Sequence, residues 1–266
     1  MGESVFSKMP FRLVKAAAVA IAFAVLFTPM ANADSPTVAS SAYEVRQNAL
    51  AQFNRATALI SDGKRAEASA ILLNVIAVFP TWNLARLEYA ANELEMDGDA
   101  EKPLQTITAL AVEGFTTPRS LYYQGMGYER TGNVQSAEKL YYASITAKPD
   151  YFEPRFALAR LLKKLGRLDD AQGQLESAVA IDQNLFSARF LLIDVCESSG
   201  KLTVAEMHLK IIIGMRPANL YDRYRLAKFY ERNGMLDKAR EQYEIADRMS
   251  PSKTGRATRS LPPSKR

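Results

Sequence analysis

Site chemistry needs groups that attack, carry protons or hold metals, and this chain has few of them. It contains a single histidine, His208, and a single cysteine, Cys196. Nucleophilic catalysis by a Ser, His and Asp set, or metal binding through imidazoles, requires at least one well-placed histidine. His208 follows Gly200 by eight residues, a position expected on the outer face of a helix, where a histidine needs no function. The neighbouring carboxylates Asp169 and Asp170 fall at a turn and helix start, where acids meet the helix dipole favourably. No phosphate-cradling glycine loop and no metal-ligand spacing can be read. The expectation is a protein that is not an enzyme and takes no metal or cofactor, which leaves aromatic and charged groups and the chemistry of binding.

The elements that must position those groups are set by a repeat. Glycines fall at Gly63, Gly98, Gly132, Gly166, Gly200 and Gly234, at intervals of 35 residues once and 34 four times. Ala68, Pro103, Ala137, Ala171, Ala205 and Ala239 stand five residues after them, and Ala56, Ala91, Gly125, Ala159, Ile193 and Ala227 seven before. Small residues on both sides of a turn let two helices approach closely, and the glycine suits the left-handed backbone at the end of the first helix. Pro80, Pro149, Pro217 and Pro251, each seventeen residues after a glycine, close the second helix. The second unit is irregular, with Pro103 in a small slot and "GFTTP" from Gly114 to Pro118. Pro103 lies near a helix start, where a missing donor costs little, so the unit is expected to be intact. Cys196, in a slot that often holds an aromatic, reads as buried packing.

Two helices per thirty-four residues, with small, aromatic and proline positions in register, resemble the tetratricopeptide repeat family over roughly Ala42 to Pro251. The resemblance implies an all-α fold, a right-handed superhelical solenoid of about six helix-turn-helix repeats. It also implies that the first helices line the concave side, so that residues ten, six and three before each glycine point into a groove. The first row reads Phe53, Glu88, Tyr122, Phe156, Phe190 and Tyr224; the second reads Thr57, Asn92, Met126, Arg160, Asp194 and Lys228. Lys163 stands in the third row with Glu95, Glu129, Glu197 and Glu231. The candidate partner-binding residues are Phe53, Tyr122, Met126, Phe156, Arg160, Lys163, Phe190, Tyr224 and Lys228. On one reading the aromatics grip apolar side chains of a peptide or helix while Arg160 and Lys163 hold a carboxylate; on the other they pack against neighbouring repeats and the charges are a solvated face.

The two ends differ from the body. Lys8, Arg12 and Lys15 precede twelve apolar residues, Ala16 to Phe27, and then "ANA" at 31–33, the layout of a secretory signal peptide. Twelve helical residues reach about 18 Å, short of the roughly 30 Å bilayer core. The expected organisation is a cleaved signal peptide over 1–33, a short linker over 34–41, repeats over 42–251 and a disordered basic tail over 252–266. The formal charge of +5 belongs to the ends: the first segment contributes +2 and the tail +5, so the body carries −2. Export, no Asn-x-Ser/Thr acceptor and no cysteine for acylation after the small-residue motif point to a soluble periplasmic protein without a lipid anchor, and away from nucleic acid. Two functions remain. One is an adaptor whose concave groove takes a segment of another envelope protein and assists a pilus, secretion or polysaccharide-export machine. The other is a scaffold that self-associates through an uncapped last repeat, where Tyr243, Ile245 and Met249 are expected to be open, or meets an anionic surface through its tail.

Overall fold

The computed structural model describes residues 36–249, with side chains from residue 42 onward. The expected signal peptide and basic tail lie outside these residues, as does Pro251. Twelve helices follow one another among them: α1 (Pro36–Ser61), α2 (Arg65–Val78), α3 (Asn83–Leu94), α4 (Glu101–Val112), α5 (Pro118–Arg130), α6 (Val134–Ala147), α7 (Phe152–Lys164), α8 (Leu168–Ile181), α9 (Phe186–Ser198), α10 (Leu202–Met215), α11 (Leu220–Arg232) and α12 (Leu236–Met249). The stretch read as a linker over 34–41 is helical from Pro36 on. The chain forms two compact units that divide between Ala137 and Glu138, within α6. In the first unit each helix from α1 to α5 packs on the next, and α1, α3 and α5 also touch in succession. In the second, α7 to α12 pack in the same consecutive manner, and α7 touches α9.

The turns explain the period. Gly63, Gly132, Gly166, Gly200 and Gly234 have φ between +73° and +85°. At each, the next N–H reaches back five residues: Lys64 to the Leu59 carbonyl at 2.9 Å, Asn133 to Tyr128 at 2.8 Å, Arg167 to Leu162 at 2.9 Å, Lys201 to Cys196 at 2.8 Å and Met235 to Tyr230 at 2.8 Å. This closes the end of the first helix and reverses the chain in three residues. Gly98 departs from the series, since its φ is not left-handed. There α3 ends at Leu94 and the connection runs to Ala100, and the guanidinium of Arg130 donates to the carbonyls of Leu94, Met96 (2.8 Å) and Gly98 (2.7 Å). Pro103 is the third residue of α4 and is buried, so the irregular unit keeps its helix pair.

Small residues then set the packing distance. Ala56, Ala68, Ala137, Ala159, Ala171, Ala205, Ala227 and Ala239 have no exposed surface. At Gly127 the helices come closer still, because an added Cβ would lie 2.9 Å from Leu104 Cδ1. The second unit buries Leu158, Leu162, Leu175, Leu192, Cys196 and Ile212 completely. Burying one such leucine contributes about 2 kcal/mol, against at most about 1 kcal/mol for exposed ion pairs such as Lys201–Asp169 at 2.6 Å. Apolar packing therefore holds the units, and the pairs adjust their surfaces. Cys196 is buried, as its slot suggests, and burial raises its thiol pKa.

Two expectations are corrected. The last helix is not open: Tyr243 is 5% exposed and donates its hydroxyl to Glu231 Oε2 at 2.7 Å. Ala246 is fully buried and Ile245 half-buried, while Asp237, Lys238, Glu241, Glu244 and Arg248 make the exposed face polar, with Met249 at its end. His208 is not on the surface either. It is 8% exposed, and its Nδ1 lies 3.2 Å from Nη1 of Arg189, itself 4% exposed. Arg189 also donates to the Gln183 carbonyl at 3.1 Å, and its Nε has no partner. The arginine always donates, so Nδ1 must accept and the imidazole must be neutral. Burial first, and the Arg189 charge second, hold the His208 pKa below its usual value, with Glu176 opposing.

The glycine turns predict a contrast. Gly166→Ala places a Cβ at φ +76° and is expected to lower stability by about 1 kcal/mol. Gly98→Ala, with nothing within 4 Å of the added Cβ, is expected to change it by less than about 0.5 kcal/mol. Urea denaturation followed by circular dichroism reads both. The buried pair predicts a pH effect. Because folding depresses the His208 pKa, its contribution is present above the unfolded value of about 6.5 and is lost as pH falls through and below it. The thermal midpoint of wild type is expected to fall between about pH 7 and pH 5, before most carboxylates titrate, and this step should shrink in His208→Gln.

Candidate functional site

In the first unit part of the expected rows of binding residues turns inward. Phe53 is 3% exposed and packs its ring 4.8 Å from that of Trp82, inside the core formed by α1, α2 and α3. It offers no surface to a partner. Glu88, at the same register, is 5% exposed and pairs with Arg119 at 2.8 Å. Asn92, one turn on, donates to the Arg65 carbonyl at 2.9 Å and to Ser69 Oγ at 2.8 Å, and accepts from Arg65 at 3.1 Å. Tyr122 and Met126 are half-buried against the core formed by α3, α4 and α5, with Tyr122 4.8 Å from the Tyr123 ring. Tyr123 itself is buried and donates to Glu95 at 2.8 Å. Burial and that carboxylate raise its pKa, an effect the nearby Arg119 charge opposes. Phe53, Glu88 and Asn92 are thus taken up by packing and by a buried polar network, while Tyr122 and Met126 keep part of their surface exposed.

The second unit keeps its row at the surface. Phe156 on α7, Phe190 on α9 and Tyr224 on α11 are each half-buried at one helical register. Their exposed parts are not alike. The guanidinium carbon of Arg225 sits 3.9 Å from the centre of the Phe190 ring, and that of Arg216 lies 5.9 Å from it and 3.8 Å from Phe186. A cation over an aromatic face is attracted by the ring quadrupole, so Phe190 supports arginines and is not a bare apolar grip. Tyr224 donates to Asp247 Oδ1 at 2.9 Å and packs 6.0 Å from Tyr243. Burial, then Asp247, raises its pKa.

The charged rows are largely answered within the chain. Lys163 was expected to hold a partner's carboxylate together with Arg160, but it is paired with Asp194 of the next first helix. Glu197 accepts from Arg232 through Nε at 3.0 Å and Nη2 at 2.7 Å, and from Asn233 at 3.0 Å. These donors, Arg232 foremost, hold its pKa below the usual carboxylate value against the opposing effect of burial. Arg160 and Lys228 are exposed one turn beyond Phe156 and Tyr224. Arg225 and Arg216 were missed because they lie off the three rows; Arg225 follows Phe190 by 35 residues, one repeat plus one. A basic residue beside an aromatic row was the signal available.

Among the described residues no three His, Cys, Asp or Glu side chains are grouped to hold a metal. No described helix is long and apolar enough to cross a membrane. The site is thus a surface of aromatic and charged side chains on three first helices, suited to contact and charge pairing.

Comparison with known proteins agrees with the fold. Residues 130–191 match the sequence model of the tetratricopeptide repeat. No curated protein matches the chain. A tetratricopeptide repeat protein from Parabacteroides merdae ATCC 43184 superposes with a TM-score of 0.56 at 14% identity, over 77% of this chain and 80% of that one. MamA from Desulfovibrio magneticus RS-1 does so at 0.52 and 18% identity, over 64% of this chain and 98% of its own. YrrB gives 0.52 at 20% identity, over 68% and 92%. Such identities speak for fold alone, and the fold of this chain is all-α and tetratricopeptide-like, with about six repeats of paired helices.

Proposed function

We propose that this chain is a non-enzymatic interaction module of the cell envelope, binding a peptide segment or helix of another protein along the first helices of its second unit. The observation that carries the reading is the recurrence of Phe156, Phe190 and Tyr224 at one register of α7, α9 and α11, each half-buried, with Arg160 and Lys228 exposed one turn on. Aromatic and arginine side chains give large contact area and are enriched where binding energy concentrates. YrrB, similar in fold, is a repeat protein with an unusual peptide-binding site. Placement in the envelope follows from the basic, apolar and small-residue pattern of residues 1–33, and the work proposed there is assembly of a larger machine.

The test is capture from envelope extract by the chain lacking residues 1–33, compared with Phe156→Ala, Arg160→Glu and Phe190→Ala combined. A partner held by wild type and lost by a variant of unchanged helicity is expected; retention of the partner by that variant would move binding off these helices.

Self-association is favoured by one observation. Met207, Ile211 and Met215 are 48%, 37% and 37% exposed at four-residue steps along α10, an apolar stripe of the kind found at contacts. If this stripe joins copies, sedimentation velocity should show a concentration-dependent species in wild type that is absent in Ile211→Glu.

A further inference from the structure

Charge on the second unit is not evenly answered. Every carboxylate of α9 and α11 has a partner within the chain: Asp194 has Lys163, Glu197 has Arg232 and Asn233, Asp222 has Arg216 at 2.9 Å, and Glu231 has the Tyr243 hydroxyl at 2.7 Å. On α11, Arg225 and Lys228 are exposed and have no carboxylate partner among the described residues. They stand three residues apart, neighbours on one helix face at roughly 5–6 Å between Cβ atoms.

Arg225 is also held in place. Its guanidinium lies 3.9 Å over Phe190, a ring that Arg216 approaches at 5.9 Å. A guanidinium stacked on a ring keeps its N–H edge for a carboxylate, and the ring has already limited its freedom. A bidentate pair with an incoming acid then forms at reduced entropic cost.

Resting on the binding role proposed above, we infer that the exposed face of α11 recognises an acidic segment of a protein partner, with Arg225 on its Phe190 platform and Lys228 as the two points of contact. Charge complementarity favours a protein segment over a bilayer. The body between the ends carries a net charge of −2, so the basic pair is a local feature that an acidic segment can reach by itself, whereas a broad anionic surface would also face the net negative charge of the body.

The experiment uses the full chain with Lys253, Arg256, Arg259, Lys265 and Arg266 replaced by glutamine, so that the tail adds no charge. The probe is a fluorescein-labelled peptide of repeating Glu-Glu-Leu, titrated by fluorescence anisotropy, beside a Lys-Lys-Leu peptide and phosphatidylglycerol vesicles. Saturable binding of the Glu-rich peptide is expected, weakening with salt and falling about tenfold in Arg225→Ala. Arg225→Lys, which keeps the charge and loses the fork, and Phe190→Leu, which keeps the apolar volume and loses the platform, should each weaken it as well; circular dichroism checks that the helices are retained. Absence of saturable binding, equal binding by the Arg225→Ala/Lys228→Ala variant, or preference for the Lys-rich peptide or the vesicles would overturn the inference. The wider role fails separately: an envelope partner that needs Phe156 and Arg160 but not Arg225 and Lys228 would leave that role standing and remove this one.

Discussion

A left-handed residue at the end of five of the six first helices is the constraint on which the repeats depend. Only glycine takes that backbone without cost, and the N–H that follows it closes the helix by reaching back five residues, as Arg167 does to Leu162. The reversal sets the second helix against the first with Ala159 and Ala171 facing inward, both without exposed surface. Larger residues would hold the helices apart, and the leucines that surround these alanines would then lose the contacts that offset the entropy of ordering the chain. Each helix pair still has apolar surface to cover, and the neighbouring pair covers it.

The features set by this constraint were legible in the sequence because they recur at a fixed interval. Turn glycines and small slots recur at the repeat interval, and Pro80, Pro149 and Pro217 each stand two residues beyond the end of a second helix; the structure places them where that period requires, except at Gly98. What was not legible are contacts made once. Asn92 with Arg65 and Ser69, and Arg130 with three carbonyls, join residues 23 to 36 positions apart that do not repeat at the thirty-four-residue interval, so no period announces them. His208 was misplaced although its contact is periodic: Arg155, Arg189 and Arg223 stand thirty-four residues apart, and each meets the side chain nineteen residues on, Gln174 at 3.2 Å, His208 at 3.2 Å and Gln242 at 3.4 Å. The candidate site was legible in part. Register alone puts Phe53 and Phe190 in equivalent positions, yet Trp82 follows the first repeat and covers one ring, while arginines stand over the other.

The two units therefore use one register for different ends. In the first, Phe53, Glu88 and Asn92 are absorbed into cores and a polar network around Arg65 and Glu88, and Tyr122 stays half-buried. In the second, the same row remains half exposed, its acids are neutralised by the chain, and cations are left at the surface. Electrostatic surplus of this kind costs little stability at exposed positions, which is why it is tolerated, and it gives a direction to encounters that packing alone does not supply.

The clasp of Arg130 on the carbonyls of Leu94, Met96 and Gly98 bears on how the chain meets proteases. Cleavage requires a segment to leave its fold and lie extended in an enzyme's cleft, with its own carbonyls available for pairing. The connection after α3 is the longest between the helices of a pair, and for that reason the natural place to cut. With those carbonyls held by a side chain from α5, the segment is withheld from the cleft until α5 itself detaches, so its digestion becomes a clock for the loosening of the following repeat.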